Sequence, residues 1–296
     1  MRRAALAAAL ALSAFPASAH AIVITETAWR AQGGDEAHWD QGFTAHEALA
    51  DQAQFRAMVA ISGDGGKQYG MASGVWIGNR DGFGYVLSAA HVFDEGDVTT
   101  FTFRSIGGTE RRGVIVHAHP GWNTSVDQTG GADFAIAQLD GPIEDAGAAP
   151  VLYSGRAEQG RRAVLVGYGS RGVAPYGHGW RFGPHHADRK AAAENVIDAV
   201  RANQLSIDLD DPNGSGKNRS GDSAPISPLE GILAPGDSGG SLWIRADGGW
   251  RVAGVNSSGD PGADYQDVSN FARISTQRQW IRSVFPDARF AGDKVE

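Results

Sequence analysis

The chain has 296 residues, 42% of them apolar, with 41 glycines and no cysteine. That length sustains one large core or two small ones, and so many glycines call for frequent turns and short strands. A formal charge of −8, with no basic stripe, argues against nucleic acid or an anionic membrane as the main partner, because neither field attracts such a surface.

Residues 1–21 open with Met1-Arg2-Arg3, run through Ala/Leu-rich sequence to Phe15 and finish in Ala17-Ser18-Ala19-His20-Ala21. A basic start, a short apolar centre and small residues at the end are the pattern of a secretory signal peptide, and the centre is too short to span a bilayer. Cleavage after Ala19 and cleavage after Ala21 both fit, and the expected location is secreted or periplasmic. Residues 22–51 are polar and uneven and read as an N-terminal arm or propeptide. Segments 55–61 and 71–77 are apolar or alternating, stand on either side of Gly63-Asp64-Gly65-Gly66, and predict a β-hairpin.

Tyr85-Val86-Leu87 has the composition of a buried strand and runs into Ser88-Ala89-Ala90-His91, where small residues leave an imidazole exposed. Segment 114–119 sets His117 and His119 on one face of a strand, but the spacing recruits no third ligand, so no metal is expected. Asp133 heads the alternating strand Phe134-Ala135-Ile136-Ala137-Gln138-Leu139. Segment 163–169 is apolar and ends in Gly167-Tyr168-Gly169, segment 189–200 has helical composition, and segment 205–209 alternates like a strand. The acidic loop Asp208 to Asp211 fails as an EF-hand, since Pro212 and Arg219 fall where ligands belong, and reads as solvated loop.

Gly236-Asp237-Ser238-Gly239-Gly240 presents a serine hydroxyl on a turn whose glycines can aim N–H groups at one spot, as an oxyanion site requires. The tripeptide recurs at Gly221-Asp222-Ser223, which reads as loop. Segment 250–255 is a strand leading into Asn256-Ser257-Ser258-Gly259. Thr276 and Gln279 form a capping-box pattern before a helix whose apolar face is Trp280, Ile281, Val284 and Phe285.

The pentapeptide also fits the nucleophile elbow of α/β-hydrolases, but there the histidine follows the serine, and the last histidine here is His186. A subtilisin-like order needs an acid before His91, and nothing around Asp64 or Asp81 resembles that family. The three blocks Ser88-Ala89-Ala90-His91, Asp133-Phe134-Ala135 with Leu139, and Gly236 to Gly240 stand in the order of the trypsin/chymotrypsin-like serine proteases, which the chain resembles from about residue 52 to 286.

The resemblance implies an all-β fold of two six-stranded antiparallel β-barrels with the active site between them, plus a C-terminal α-helix. The first barrel would span 52–148 and carry His91 and Asp133. The second would span 149–286 and carry Ser238 and the helix, with 189–200 called on as strand despite its helical composition and 287–296 as a tail. Ser238 would be the nucleophile, His91 the base, Asp133 the group that orients it, and the N–H groups of Gly236 and Ser238 the oxyanion hole. Ile232, six residues before the nucleophile, would floor the primary pocket and favour uncharged side chains, with Glu230 able to restore basic specificity if the loop shifted. Ser257, Ser258 and Gly259 would line the substrate backbone, with Ser258 standing where relatives carry tryptophan. Val92 and Ala234 stand where many relatives carry cysteine. Arg30 to Gly34 faintly echoes the family's activation site but lacks its Ile-Val pair. Ile22-Val23 supplies such a pair if the cut falls after Ala21, which leaves the partner of Asp237 open. The expected activity is secreted serine endopeptidase, acting as a monomer on protein or peptide substrates, with no cofactor, metal, nucleic acid or membrane. The alternative is a non-catalytic binding protein on the same fold.

Overall fold

Residues 22–94, 96–123, 130–178, 189–213 and 224–293 are described by a computed structural model. The signal-peptide pattern and the second Gly-Asp-Ser lie outside them. The described chain opens with strand β1 (Val23–Thr25) and helix α1 (Glu26–Ala31), whose first turn is capped by the Thr25 hydroxyl accepting the Ala28 N–H at 3.1 Å. A second helix, α2 (Thr44–Ala50), completes the arm.

Six strands follow: β2 (Met58–Ser62), β3 (Ala72–Arg80), β4 (Phe83–Ser88), β5 (Thr102–Arg104), β6 (Glu110–Ala118) and β7 (Ala135–Leu139). They close into an antiparallel barrel in the order β2-β3-β4-β7-β6-β5. Closure leaves no open sheet edge, and the interior is filled by fully buried Val75, Val86, Leu87, Phe103 and Ile136.

The second half supplies β8 (Arg162–Gly167), β9 (Gly172–Ala174), β10 (Gly177–His178), β11 (Ala191–Val196), β12 (Ala199–Arg201), β13 (Gln204–Asp208), β14 (Gly231–Ile232), β15 (Ser241–Ala246), β16 (Gly249–Gly259) and β17 (Val268–Arg273). Seven of them form one sheet in the order β11-β8-β15-β16-β17-β13-β12, and the remaining strands join the arm in a small sheet, β10-β9-β1-β14. This half is therefore an open half-barrel of seven strands rather than a closed ring of six. The short β14 pairs with β1 through Val23↔Ile232, and a single bridge, Glu194↔Glu230, ties it to β11.

Segment 189–200, helical by composition, is strand. Ala191, Ala192 and Ala193 are fully buried and pair with β8, where their small side chains fit against Leu165, Val166 and Gly167. Packing overrides intrinsic preference there. Helix α3 (Arg278–Val284) begins at Gln277, and the expected capping box does not form, because the Thr276 hydroxyl turns back to donate to the Arg273 carbonyl at 3.0 Å. Phe285 stacks on Tyr85 of the first barrel at 4.7 Å. The following residues are packed as well, with Phe290 buried and bridged to Leu152.

With no cysteine to cross-link them, the halves are held by packing and polar contacts. Phe55 meets Trp243 edge-on at 5.4 Å and Trp250 at 5.6 Å, joining the first barrel to the second sheet. The Tyr168 N–H donates across to the Ser73 hydroxyl at 2.8 Å, and within the second half Glu158, fully buried, receives both Nε and Nη2 of Arg273 at 2.8 Å and the Ser275 hydroxyl at 2.9 Å. The arm is tied down by Arg171, which is buried and ion-paired with Glu47 of α2. Residues 22–51 are thus built into the fold of the second half.

Candidate active site

His91 stands immediately after β4 in a short 3-10 turn that buries Val92 and leaves the imidazole side chain 20% exposed. Asp133 stands two residues before β7, the neighbour of β4 in the barrel, so strand pairing brings acid and base together. The Asp133 side chain is completely buried. Its Oδ1 accepts the His91 backbone N–H at 3.0 Å, and its Oδ2 lies 2.7 Å from His91 Nδ1 and accepts the Ser257 hydroxyl at 2.6 Å. The opposite ring nitrogen, Nε2, is 2.8 Å from Ser238 Oγ. A continuous relay of hydrogen bonds therefore runs from a buried carboxylate to a half-exposed hydroxyl across the two halves.

The serine turn is set by its glycines. Gly236 has φ +90°, and a Cβ there would lie 2.5 Å from the Gly70 carbonyl oxygen; Gly239 has φ +79°, and a Cβ there would lie 2.4 Å from that of Ser73. No other residue fits either position without displacing backbone. The turn is clamped to the first barrel by Ser73 of β3, whose N–H donates to the Ser238 carbonyl at 2.8 Å and whose hydroxyl donates to that of Gly236 at 3.1 Å. Asn256 holds it from behind, donating to the Asp237 carbonyl at 3.0 Å. The N–H groups of Gly236 and Ser238 donate to no acceptor among the described residues, which leaves them available to an incoming oxyanion.

Asp237 points away from the hydroxyl into the second half and is fully buried. Its Oδ2 accepts the N–H groups of Ala234 and Ile22 at 2.9 Å each, and its Oδ1 accepts that of Gly169 at 3.0 Å. Burial pushes its pKa up to about 6, partly offset by these three donors. Of the two candidates for its partner, the structure brings in Ile22. Arg30 to Gly34 instead close the end of α1, where Gly33 donates to the Arg30 carbonyl at 3.0 Å.

A pocket of about 260 Å³ opens beside Ser238 and His91. One wall is Leu233, Ala234 and Pro235; the other is Ser257, Ser258 and Gly259, continued by Asp260 and Pro261. The expectation that Ile232 floors this pocket needs correction. Its side chain is 1% exposed in the core of the second half, where β14 pairs with β1, and Leu233 takes its place at the pocket. Glu230 is likewise remote from the pocket, its oxygens accepting the N–H groups of Asp210 at 2.9 Å and Ile226 at 2.6 Å. Four contributors escaped the sequence: the Ser257 bond to Asp133, the Ser73 clamp, Asp260 in the pocket wall, and Trp122, whose ring centre lies 6.4 Å from that of His91 and whose Nε1 donates to Asp94 at 2.8 Å. A larger pocket of about 450 Å³ between Trp29, Trp39 and Tyr176 has neither a serine nor a histidine in its lining.

Among the described residues no cluster of three or more metal-ligating side chains is found. His119 turns its Nδ1 to the Gly121 N–H at 3.0 Å and packs edge-on against Trp280 at 5.1 Å. The acidic stretch is largely buried rather than solvated: Asp208, the last residue of β13, and Asp210 are at most 5% exposed, as is Glu230 beside them, and Asp211 is half-buried. Burial and the neighbouring Asp208 push Asp198 up to about 8, and burial pushes Glu230 up to about 7.

The fold is shared with neuropsin, a serine protease expressed in the limbic system of mouse brain. The two agree with a TM-score of 0.57 at 18% sequence identity, over 78% of this chain and 95% of that one. Residues 72–255, a stretch holding His91, Asp133 and Ser238, match the trypsin-like peptidase domain. The match covers more than half of the 296 residues, and the chain belongs to the trypsin-like peptidase family.

Proposed function

We propose that this chain is an exported serine endopeptidase that cleaves protein or peptide substrates through Ser238, His91 and Asp133. The single observation that carries the reading is the relay Asp133–His91–Ser238, with separations of 2.7 Å and 2.8 Å. In the first step Ser238 Oγ attacks the peptide carbonyl carbon while His91 Nε2 takes the hydroxyl proton. Asp133, with Ser257 and the His91 backbone N–H on its oxygens, fixes the imidazole and stabilises its positive charge. The N–H groups of Gly236 and Ser238 receive the oxyanion. Loss of one such donor costs about 3–4 kcal/mol of transition-state stabilisation.

Collapse of the tetrahedral intermediate breaks the C–N bond, and His91 delivers its proton to the leaving amine. The acyl group remains on Ser238 until water, deprotonated by His91, releases it as a carboxylic acid and restores the hydroxyl. The pattern of residues 1–21 supports export, to the periplasm or beyond the cell. Incubation of the mature protein with unfolded casein tests the reading: hydrolysis is expected from the wild type and near-complete loss in Ser238→Ala and in His91→Ala. Wild-type turnover in either variant overturns the assignment.

A further inference from the structure

We propose that Arg171 is a positioning residue for the oxyanion site: its ion pair with Glu47 of α2 holds segment 168–172 against the serine turn and so keeps the Gly236 N–H facing the oxyanion. The inference rests on the endopeptidase reading and deepens it, giving the N-terminal arm a part in the reaction. Between β8 and β9 the chain leaves the sheet, and three successive amides there grip the back of the serine turn. The Tyr168 N–H donates to the Ser73 hydroxyl at 2.8 Å, the same hydroxyl that holds the Gly236 carbonyl. The Gly169 N–H donates to Asp237 Oδ1 at 3.0 Å, and the Ser170 N–H donates to the Pro235 carbonyl at 2.6 Å. The last of these bonds sets the oxyanion donor, because a trans peptide carries its C=O and its N–H on opposite sides. With the Pro235 carbonyl turned to Ser170, the Gly236 N–H of the same peptide unit points the other way, into the cleft. Gly236, with φ +90° and no Cβ, offers little resistance of its own to reversal of that unit, and a reversed unit would present a carbonyl oxygen to the oxyanion.

Two ties fix this segment just beyond Ser170, and both reach the arm. The Gly172 N–H donates to the Ile22 carbonyl at 2.9 Å, within the parallel pairing of β9 with β1. The Arg171 side chain, 2% exposed, lies against α2 and the turn before it: Nη2 pairs with Glu47, Nη1 is 3.8 Å from Asp40 Oδ1, and the guanidinium stands 5.3 Å from the centre of the Phe43 ring. Glu47 also accepts from Arg189 Nη1 at 3.3 Å. A guanidinium taken out of water stays with its carboxylate, since separation would leave a buried charge uncompensated. That anchor sits one residue from the amide that orients the Pro235–Gly236 unit.

Steady-state kinetics on a peptide substrate, set beside the affinities of a peptide aldehyde and of the matching peptide alcohol, test this. Ser238 adds to the aldehyde to give a tetrahedral adduct whose oxygen occupies the oxyanion site, whereas the alcohol binds without reacting. A variant that orients the peptide unit correctly about one-tenth of the time loses about tenfold in kcat. Glu47→Gln and Arg171→Met are each expected to show that loss with KM held within about twofold, the signature of an interaction made only in the transition state. Aldehyde affinity should fall by the same factor, and alcohol affinity should hold. Arg171→Lys keeps the buried cation and is expected to keep kcat within about threefold of the wild type. If Arg171→Met does not fold, Glu47→Gln, on a side chain 19% exposed, decides alone. Unchanged kcat in Glu47→Gln, a loss in Arg171→Lys as large as in Arg171→Met, or equal losses of affinity for aldehyde and alcohol overturns the role of Arg171 while leaving the endopeptidase reading standing. A wild type that neither cleaves the peptide nor binds the aldehyde more tightly than the alcohol overturns both.

Discussion

A chain that begins at Ile22 and a chain that retains Ala21 before it are expected to differ in stability, and the difference should depend on pH. In the longer chain Asp237 receives only amide donors, and burial raises its pKa from 3.8 to about 6. One pKa unit is about 1.4 kcal/mol, so the carboxylate weighs against folding by about 3 kcal/mol at pH 7. That penalty is absent below the unfolded pKa and grows as pH rises through about 6. A cut after Ala21 turns the Ile22 nitrogen, 2.9 Å from Asp237 Oδ2, into an ammonium. The new ion pair lowers the Asp237 pKa again and raises that of the amine above its ordinary value of about 8. Calorimetric midpoints of the two chains should therefore separate by about 6–12 °C at pH 7, taking about 2–4 °C per kcal/mol for a protein of this size. The gap should shrink as pH falls below about 6 and close once the carboxyl of the cut chain is protonated as well, below its lowered pKa, and it should close again at alkaline pH, where the amine is neutral. Equal midpoints at pH 7, or a gap that does not shrink between pH 7 and pH 4, would refute this account of the buried carboxylate.

The other expectations test separate parts of the structure. Asp198 is raised to about 8 by burial and by Asp208, so its contribution to stability is present below about pH 4 and lost as pH rises through about 8. Asp198→Asn should accordingly raise the thermal midpoint more at pH 8.5 than at pH 4.5, and an equal effect at both would contradict the assignment. Glu158→Ala leaves Arg273 buried without its carboxylate and should cost about 3–5 kcal/mol in urea unfolding, whereas a loss under 1 kcal/mol would show that the pair contributes little. Ser257→Ala removes one hydrogen bond to buried Asp133 and should lower kcat/KM by about tenfold to a hundredfold, measured on a peptide substrate, with His91→Ala as the reference for full loss.

How much of this was legible in the sequence depended on range. The blocks around His91, Asp133 and Ser238 could be read because each is local: a strand, a turn of small residues, and one chemical group at a fixed offset. The hairpin of β2 and β3 was legible for the same reason, from alternation on either side of a glycine turn. Segment 189–200 stayed open because alanine favours helix while the topology called for strand, and Ala191 to Ala193 serve here by their fit against β8. Thr276 and Gln279 matched a capping pattern, yet the Arg273 carbonyl claimed the threonine hydroxyl first. Ile232 could be placed only by counting back from the serine, and counting does not reveal that β1, more than 200 residues earlier, pairs with it and draws it into the core. The Ser257 bond to Asp133 is likewise a product of tertiary pairing, with no local signal, whereas Ile22 could be named only as one of two candidates that the resemblance offered for Asp237.

The central claim is that Ser238 is a nucleophile activated by His91, and covalent labelling tests it most directly. The mature chain, treated with a fluorophosphonate and digested for mass spectrometry, is expected to carry one adduct, on Ser238. His91→Ala should slow its formation by orders of magnitude, and prior denaturation should abolish it. A folded mature chain that leaves Ser238 unmodified, or one that His91→Ala labels as fast as the wild type, would contradict the account.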